Sequence, residues 1–199
     1  MTDVATTGRL EAEAQAAPRA FPGQPDMWVL VMVEALTFSA YFVVYVIWRM
    51  RSPELFLQSQ AYLSRELGVA DTLILLTSSW SIARCVQRAR AGEYRGALVS
   101  VGLTILLGVL FAGAKLYEWT LKVRSGMYFG TNEFFSFYYF LTGMHLLHVL
   151  VGFIVLGVVA YQLWSPARRS QEIIETGATY WHMVDFLWMI IFALLYLMR

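Results

Sequence analysis

Five apolar stretches separated by short charged connections dominate this 199-residue chain. They run Met27–Trp48, Asp71–Val86, Ala97–Trp119, Phe134–Trp164 and Tyr180–Met198. A helix needs about 20 predominantly apolar residues to cross a bilayer. The second stretch is shorter than that, and it reaches the length if Arg84 and Arg88 extend to a headgroup layer. Hydrocarbon offers no partner to backbone N–H and C=O groups, so spanning segments of this kind are helices. The pattern predicts an all-α fold, a polytopic membrane helix bundle with five transmembrane helices.

Composition agrees. Hydrophobic residues make up 58% of the chain and charged residues 15%, against about a quarter charged in a soluble domain. The charges gather in residues 1–26 and in the connections. Residues 1–26 lack an apolar core of the signal-peptide kind and read as a flexible or surface-lying cytoplasmic tail, ending in a turn at Pro22 and Pro25. Residues 27–199 then form one transmembrane domain. A formal net charge of +1 with no basic arm makes nucleic acid an unsuitable partner. One cysteine, Cys85, cannot form a disulfide within the chain. An N-terminus on the cytoplasmic side and a C-terminus outside give the inner loops the larger share of Lys and Arg, led by the Arg84–Arg95 cluster.

An ionisable side chain at the bilayer centre costs about 2.5–3.5 kcal/mol on insertion scales, so each one calls for a reason. Glu34 lies about 10 Å along the first helix. It reads either as a proton-linked or lipid-contacting carboxyl, or as a neutral acid hydrogen-bonded to a neighbouring helix. His145 and His148 share one face of the fourth helix, and His182 and Asp185 repeat the same spacing on the fifth. With those helices antiparallel, His148, His182, Asp185 and Glu34 fall in one layer. A buried polar network of His145, His148, His182 and Asp185 is favoured over haem ligation by His148 and His182, because few small residues stand opposite the histidines. Three histidines without further cysteines give no transition-metal spacing, so no metal ligand is assigned. Lys115 and Glu118 are spaced to pair within the third helix near the outer surface. Ser78, Ser79 and Ser81, with Gly102, Gly108 and Gly113, read as packing surfaces. Trp28, Trp48, Trp119, Trp164 and Trp181 read as interfacial anchors. Phosphate loops, catalytic triads and nucleophile elbows are absent.

Taken in order, these motifs resemble the subunit III family of haem–copper oxidases. MVEALTFSAYF resembles the helix with the family's buried glutamate, at Glu34. FAGAKLYEW resembles the helix whose glutamate is Glu118. LTGMHLLHVLVG places His145 and His148 on the two family histidines, and YWHMVDFLWMIIFALLYL aligns Trp181, His182, Asp185 and Trp188 with the closing helix. The likeness runs from about Met27 to the C-terminus, in the five-helix form. Lys115 stands where many cytochrome c oxidase members have glutamine. Together with DTLILLTSSW, that departure resembles the branch associated with nitric oxide reductases.

The resemblance implies a non-catalytic subunit in a bacterial plasma membrane. Its partner would be catalytic subunit I of a haem–copper oxidase or nitric oxide reductase, which carries the haem and copper. The chain itself would bind none of these cofactors. It would hold membrane phospholipid and support proton uptake and stability, with Glu34 as the carbodiimide-reactive carboxyl. The residues alone leave two other readings open, a small b-type cytochrome and an autonomous transporter or channel. The lack of repeats and of prolines within the spans speaks against transport.

Overall fold

The structure, a computed structural model, describes residues 23–166 and 169–198. The expected tail therefore falls largely outside the described residues, as do Pro22, Arg168 and Arg199. Six α-helices form without strands among the described residues: α1 (Pro25–Arg51), α2 (Pro53–Gln60), α3 (Arg65–Arg90), α4 (Tyr94–Arg124), α5 (Glu133–Trp164) and α6 (Gln171–Phe192). A π-helical turn, Ala193–Leu197, continues α6. Five of these segments are long and apolar enough to cross a membrane.

Local chemistry sets the ends. Pro25 opens α1 with Asp26 in its first turn, and Arg49 and Arg51 close it, as the helix dipole favours. Ser64, Asn132 and Ser170 each accept a backbone N–H at the start of α3, α5 and α6. The polar first and last turns of α3 and the polar first turns of α6 explain why both are longer than their apolar cores. α3 therefore spans without Arg88 reaching outward; Arg88 turns to α4, donating to the Gly96 carbonyl at 3.0 Å and to Ser100 Oγ at 2.9 Å. The stretch read as a plain connection between the first two spans contains α2. Its last residue, Gln60, is buried because it serves two carbonyls of the π turn, Leu194 at 3.3 Å and Leu195 at 2.9 Å.

α3 and α4 form the most extensive interface, and α6 packs on α5, α3 and α1. At the α3–α4 contact Ser81 donates to the Ser100 carbonyl at 2.9 Å, and Ser78 and Thr104 each reach the other's carbonyl. Small hydroxyl residues thus bring two backbones close, as membrane interfaces favour. α6 is the most covered span and α1 the least.

Trp181 is no interfacial anchor. α6 begins ten residues before it, and its ring is fully buried, with Nε1 donating to Ser78 Oγ at 2.9 Å. The ring lies against Gly108 and Gly152: a Cβ on Gly152 would stand 2.7 Å from it, and one on Gly108 would stand 2.9 Å from it. Of the three glycines read as packing surface, Gly108 alone fills that role, since Gly102 and Gly113 face open space. Gly152→Ala is expected to cost about 1–3 kcal/mol by overpacking and to lower the thermal midpoint of the detergent-solubilised protein. Gly113→Ala should leave the midpoint unchanged or raise it, since alanine favours the helix by up to about 1 kcal/mol. Equal midpoints for the two variants would contradict the packing at Trp181.

Candidate functional site

Two ionisable clusters occupy opposite halves of the bundle. In the half nearer the start of α1, Glu34 reaches from α1 to His148 of α5, with Oε2 3.3 Å from Nε2. The Phe38 ring stands edge-on to the imidazole at 5.4 Å. The Glu34 side chain keeps 24% of its surface exposed while the histidine is buried, so the carboxyl opens from the bundle on its least covered span.

The other ring nitrogen fixes the tautomer. Nδ1 of His148 lies 2.7 Å from the Met144 carbonyl oxygen, and a carbonyl only accepts, so Nδ1 carries a hydrogen. Neutral imidazole then has a bare Nε2. The contact with Glu34 accordingly holds one proton, borne either by the carboxyl or by Nε2. While it holds that proton the pair is neutral overall, and its release leaves a single carboxylate beside a neutral ring. Both nitrogens of His148 are engaged by protein groups, which leaves neither free as a haem ligand.

The second cluster lies toward the far end, about 9 Å along α3 from its start and about 14 Å along α4 from its end. Lys115 and Glu118 pair within α4, Nζ to Oε2 at 2.7 Å. The pair is not self-contained at the surface. Lys115 is wholly buried (0% exposed), and Asp71 of α3 binds its ammonium at 2.9 Å. Tyr196 of the π turn accepts from Lys115 at 3.2 Å and places its hydroxyl 3.0 Å from each Glu118 oxygen. Around the ammonium stand the rings of Trp188 at 4.5 Å, Tyr196 at 5.4 Å and Phe111 at 6.0 Å. Acidic and aromatic groups together replace the hydration a lysine loses in hydrocarbon.

The four residues read as one network do not form one: His145 and His148 part from each other, and His182 and Asp185 both turn toward Ser79. His148 turns to α1. His145, one turn away, is fully buried between Phe111 at 5.5 Å and Trp188 at 5.3 Å, and neither ring nitrogen has a hydrogen-bond partner. His182 contacts Ser79 of α3 through Nδ1 at 2.7 Å. Asp185 is 4% exposed with both oxygens unpartnered. Asp71 and Tyr196 were not singled out from sequence as site residues, and Ser79, read there as packing surface, instead meets His182. Asp71 opens an apolar stretch and so reads as a surface residue, whereas a lysine deep in a span calls for a carboxylate on another helix. No group of three or more His, Cys, Asp or Glu side chains is placed to hold a metal ion among the described residues.

Fold and site together define a helical membrane bundle with two buried ionisable pairings that join helices, Glu34–His148 and Asp71–Lys115. Residues 24–199 match the family described as Cytochrome c oxidase subunit III. The chain is 29% identical over 184 residues to the cytochrome c oxidase subunit 3 of Synechocystis, covering 88% of this chain and 78% of that one. It is 28% identical over 173 residues to the quinol oxidase subunit 3 of Bacillus spizizenii, covering 86% and 84%. With the cytochrome c oxidase subunit 3 of Bacillus strain PS3 it shares 25% over 213 residues, covering 95% and 98%. The chain belongs to the subunit III family of haem–copper oxidases.

Nitrogen-15 NMR of histidine-labelled protein checks the tautomer. Whenever His148 is neutral, its Nδ1 should be the protonated nitrogen; an Nε2-protonated neutral ring would contradict the Glu34 geometry.

Proposed function

We propose that this chain is the non-catalytic third subunit of a respiratory haem–copper complex in a bacterial plasma membrane. Catalytic subunit I is its partner and carries the haem and copper; this chain binds neither. The single-proton Glu34–His148 pair carries the reading. A carboxyl that shares a proton with histidine and opens on the least covered span suits a subunit that supports proton uptake by a larger neighbour. α1 also presents Val29, Met32, Val33 and Leu36 as exposed apolar surface, fitted to subunit I or lipid. Between α1 and α6 a cavity of about 250 Å³, lined by Trp28, Val31, Ala35, Met183, Phe186 and Leu187 among others, suits a phospholipid acyl chain. The N-terminus faces the cytoplasm and the C-terminus the outside.

The partner reduces oxygen or nitric oxide: the relatives named above are oxidase subunits, and the Asp71–Lys115 pair belongs to the likeness to the nitric-oxide-reductase-associated branch. Lys115 stands where a glutamine is common among cytochrome c oxidase members, and a buried ammonium left without an acid is strongly destabilising. DTLILLTSSW supplies that acid, so the two departures form one feature.

Gentle-detergent purification of the tagged chain, followed by an absorption spectrum, tests the assignment. The expected result is a haem-bearing catalytic subunit in the complex and no Soret band from the chain once separated. The identity of that subunit decides between oxygen and nitric oxide. Recovery of the chain alone, or with haem of its own, would overturn the accessory role. Within the complex, Glu34→Gln should leave assembly intact and change turnover or its decay severalfold at most. Complete loss of assembly would show Glu34 to be structural.

A further inference from the structure

Beneath the end of the bundle where α1 begins, α3 and α6 enclose a cavity of about 240 Å³. Liquid water occupies about 30 Å³ per molecule, so several fit. Its mouth carries Gln87, Arg90 and Glu175, the last two joined at 2.9 Å. Its floor is His182. On the α1 side His182 meets the apolar cavity lined by Trp28, Val31 and Ala35, so its polar outlet is toward Arg90 and Glu175.

Behind His182 the polar groups continue inward. Nδ1 lies 2.7 Å from Ser79 Oγ. The same hydroxyl faces the Asp185 carboxyl, whose oxygens complete no hydrogen bond. A buried carboxyl without a partner is costly unless it is neutral or hydrated. Among the described residues, a serine and a histidine lead from Asp185 to a cavity able to hold water.

We propose that His182, Ser79 and Asp185 form a proton relay that opens through the α3–α6 cavity onto the end of the bundle where α1 begins. Outward, the Asp185 proton passes to Ser79 Oγ while the serine proton passes to His182 Nδ1, and the Nε2 proton leaves to cavity water. Inward transfer reverses each step and restores the starting tautomer. Serine ends unchanged and no redox change occurs. Asp185 is thereby a carboxyl in exchange with bulk water, separate from Glu34 and independent of the family role proposed above.

Infrared spectroscopy of the full chain in lipid, labelled with carbon-13 aspartate and switched from ordinary to heavy water, tests the relay. The sequence holds four aspartates, Asp3, Asp26, Asp71 and Asp185, and Asp71 is ion-paired with Lys115. A labelled carboxylic-acid band that Asp185→Asn removes should shift promptly in heavy water. His182→Gln, which can still bond Ser79 but cannot pass a proton between two ring nitrogens, should slow the shift by roughly 10²-fold. Ala83→Phe, which fills the cavity, should slow it as well. The aspartate label keeps the comparison readable even if Asp185→Asn does not fold. Absence of the band, or exchange equally fast in both variants, would overturn the proposal.

Discussion

A lysine with no exposed surface, in a segment long and apolar enough to span a membrane, is the constraint around which one half of this bundle is built. Lys115 binds Asp71 on α3 and Glu118 on α4, and it donates to Tyr196 beyond α6. Tyr196 sits in a π turn, which leaves backbone carbonyls without helical partners. Tyr45 of α1 donates to the Leu194 carbonyl at 3.1 Å, and Gln60 of α2 serves both Leu194 and Leu195. Arg49 in turn donates to the Gln60 side chain at 3.1 Å. Charge neutralisation at one ammonium thus extends through hydrogen bonds to elements that never touch it.

The opposite half is organised differently. Glu175 bonds Arg90 of α3 and Gln171 of its own helix, and it accepts from the Gly23 backbone ahead of α1. Thr176 accepts from the Gln24 backbone at 2.9 Å. These contacts lie at the rim. Beneath them the ionisable groups stand in ones and twos, and His182 borders two cavities. One end is closed around fixed charge, and the other keeps protonatable groups within reach of water or lipid.

The spans, the helix class and the 3-residue spacing of the polar pairs were legible because hydrophobic length and helical period are local properties. Glu34 and His148 could be placed in one layer, although their pairing depends on side chains from two helices. Trp181 misled, because an aromatic residue near the edge of an apolar run reads as an anchor. The polar turns Gln171–Thr179 extend the helix and carry it inside. Asp71 misled for the mirror reason, lying at the edge of a run whose helix begins at Arg65. The role of Gln60 depends on carbonyls freed more than 130 residues away, which no local pattern reports.

The sharing of the Lys115 charge with Asp71 is tested most directly by a double-mutant cycle read by reversible unfolding in detergent. Lys115→Gln alone leaves Asp71 unpaired in the interior and should cost about 3–5 kcal/mol. Adding Asp71→Asn, which replaces the buried charge with an amide, should recover most of that loss, leaving Glu118 with its bond from Tyr196. Independent, additive losses for the two substitutions, or a negligible loss for Lys115→Gln, would mean that the ion pair does not hold these helices together.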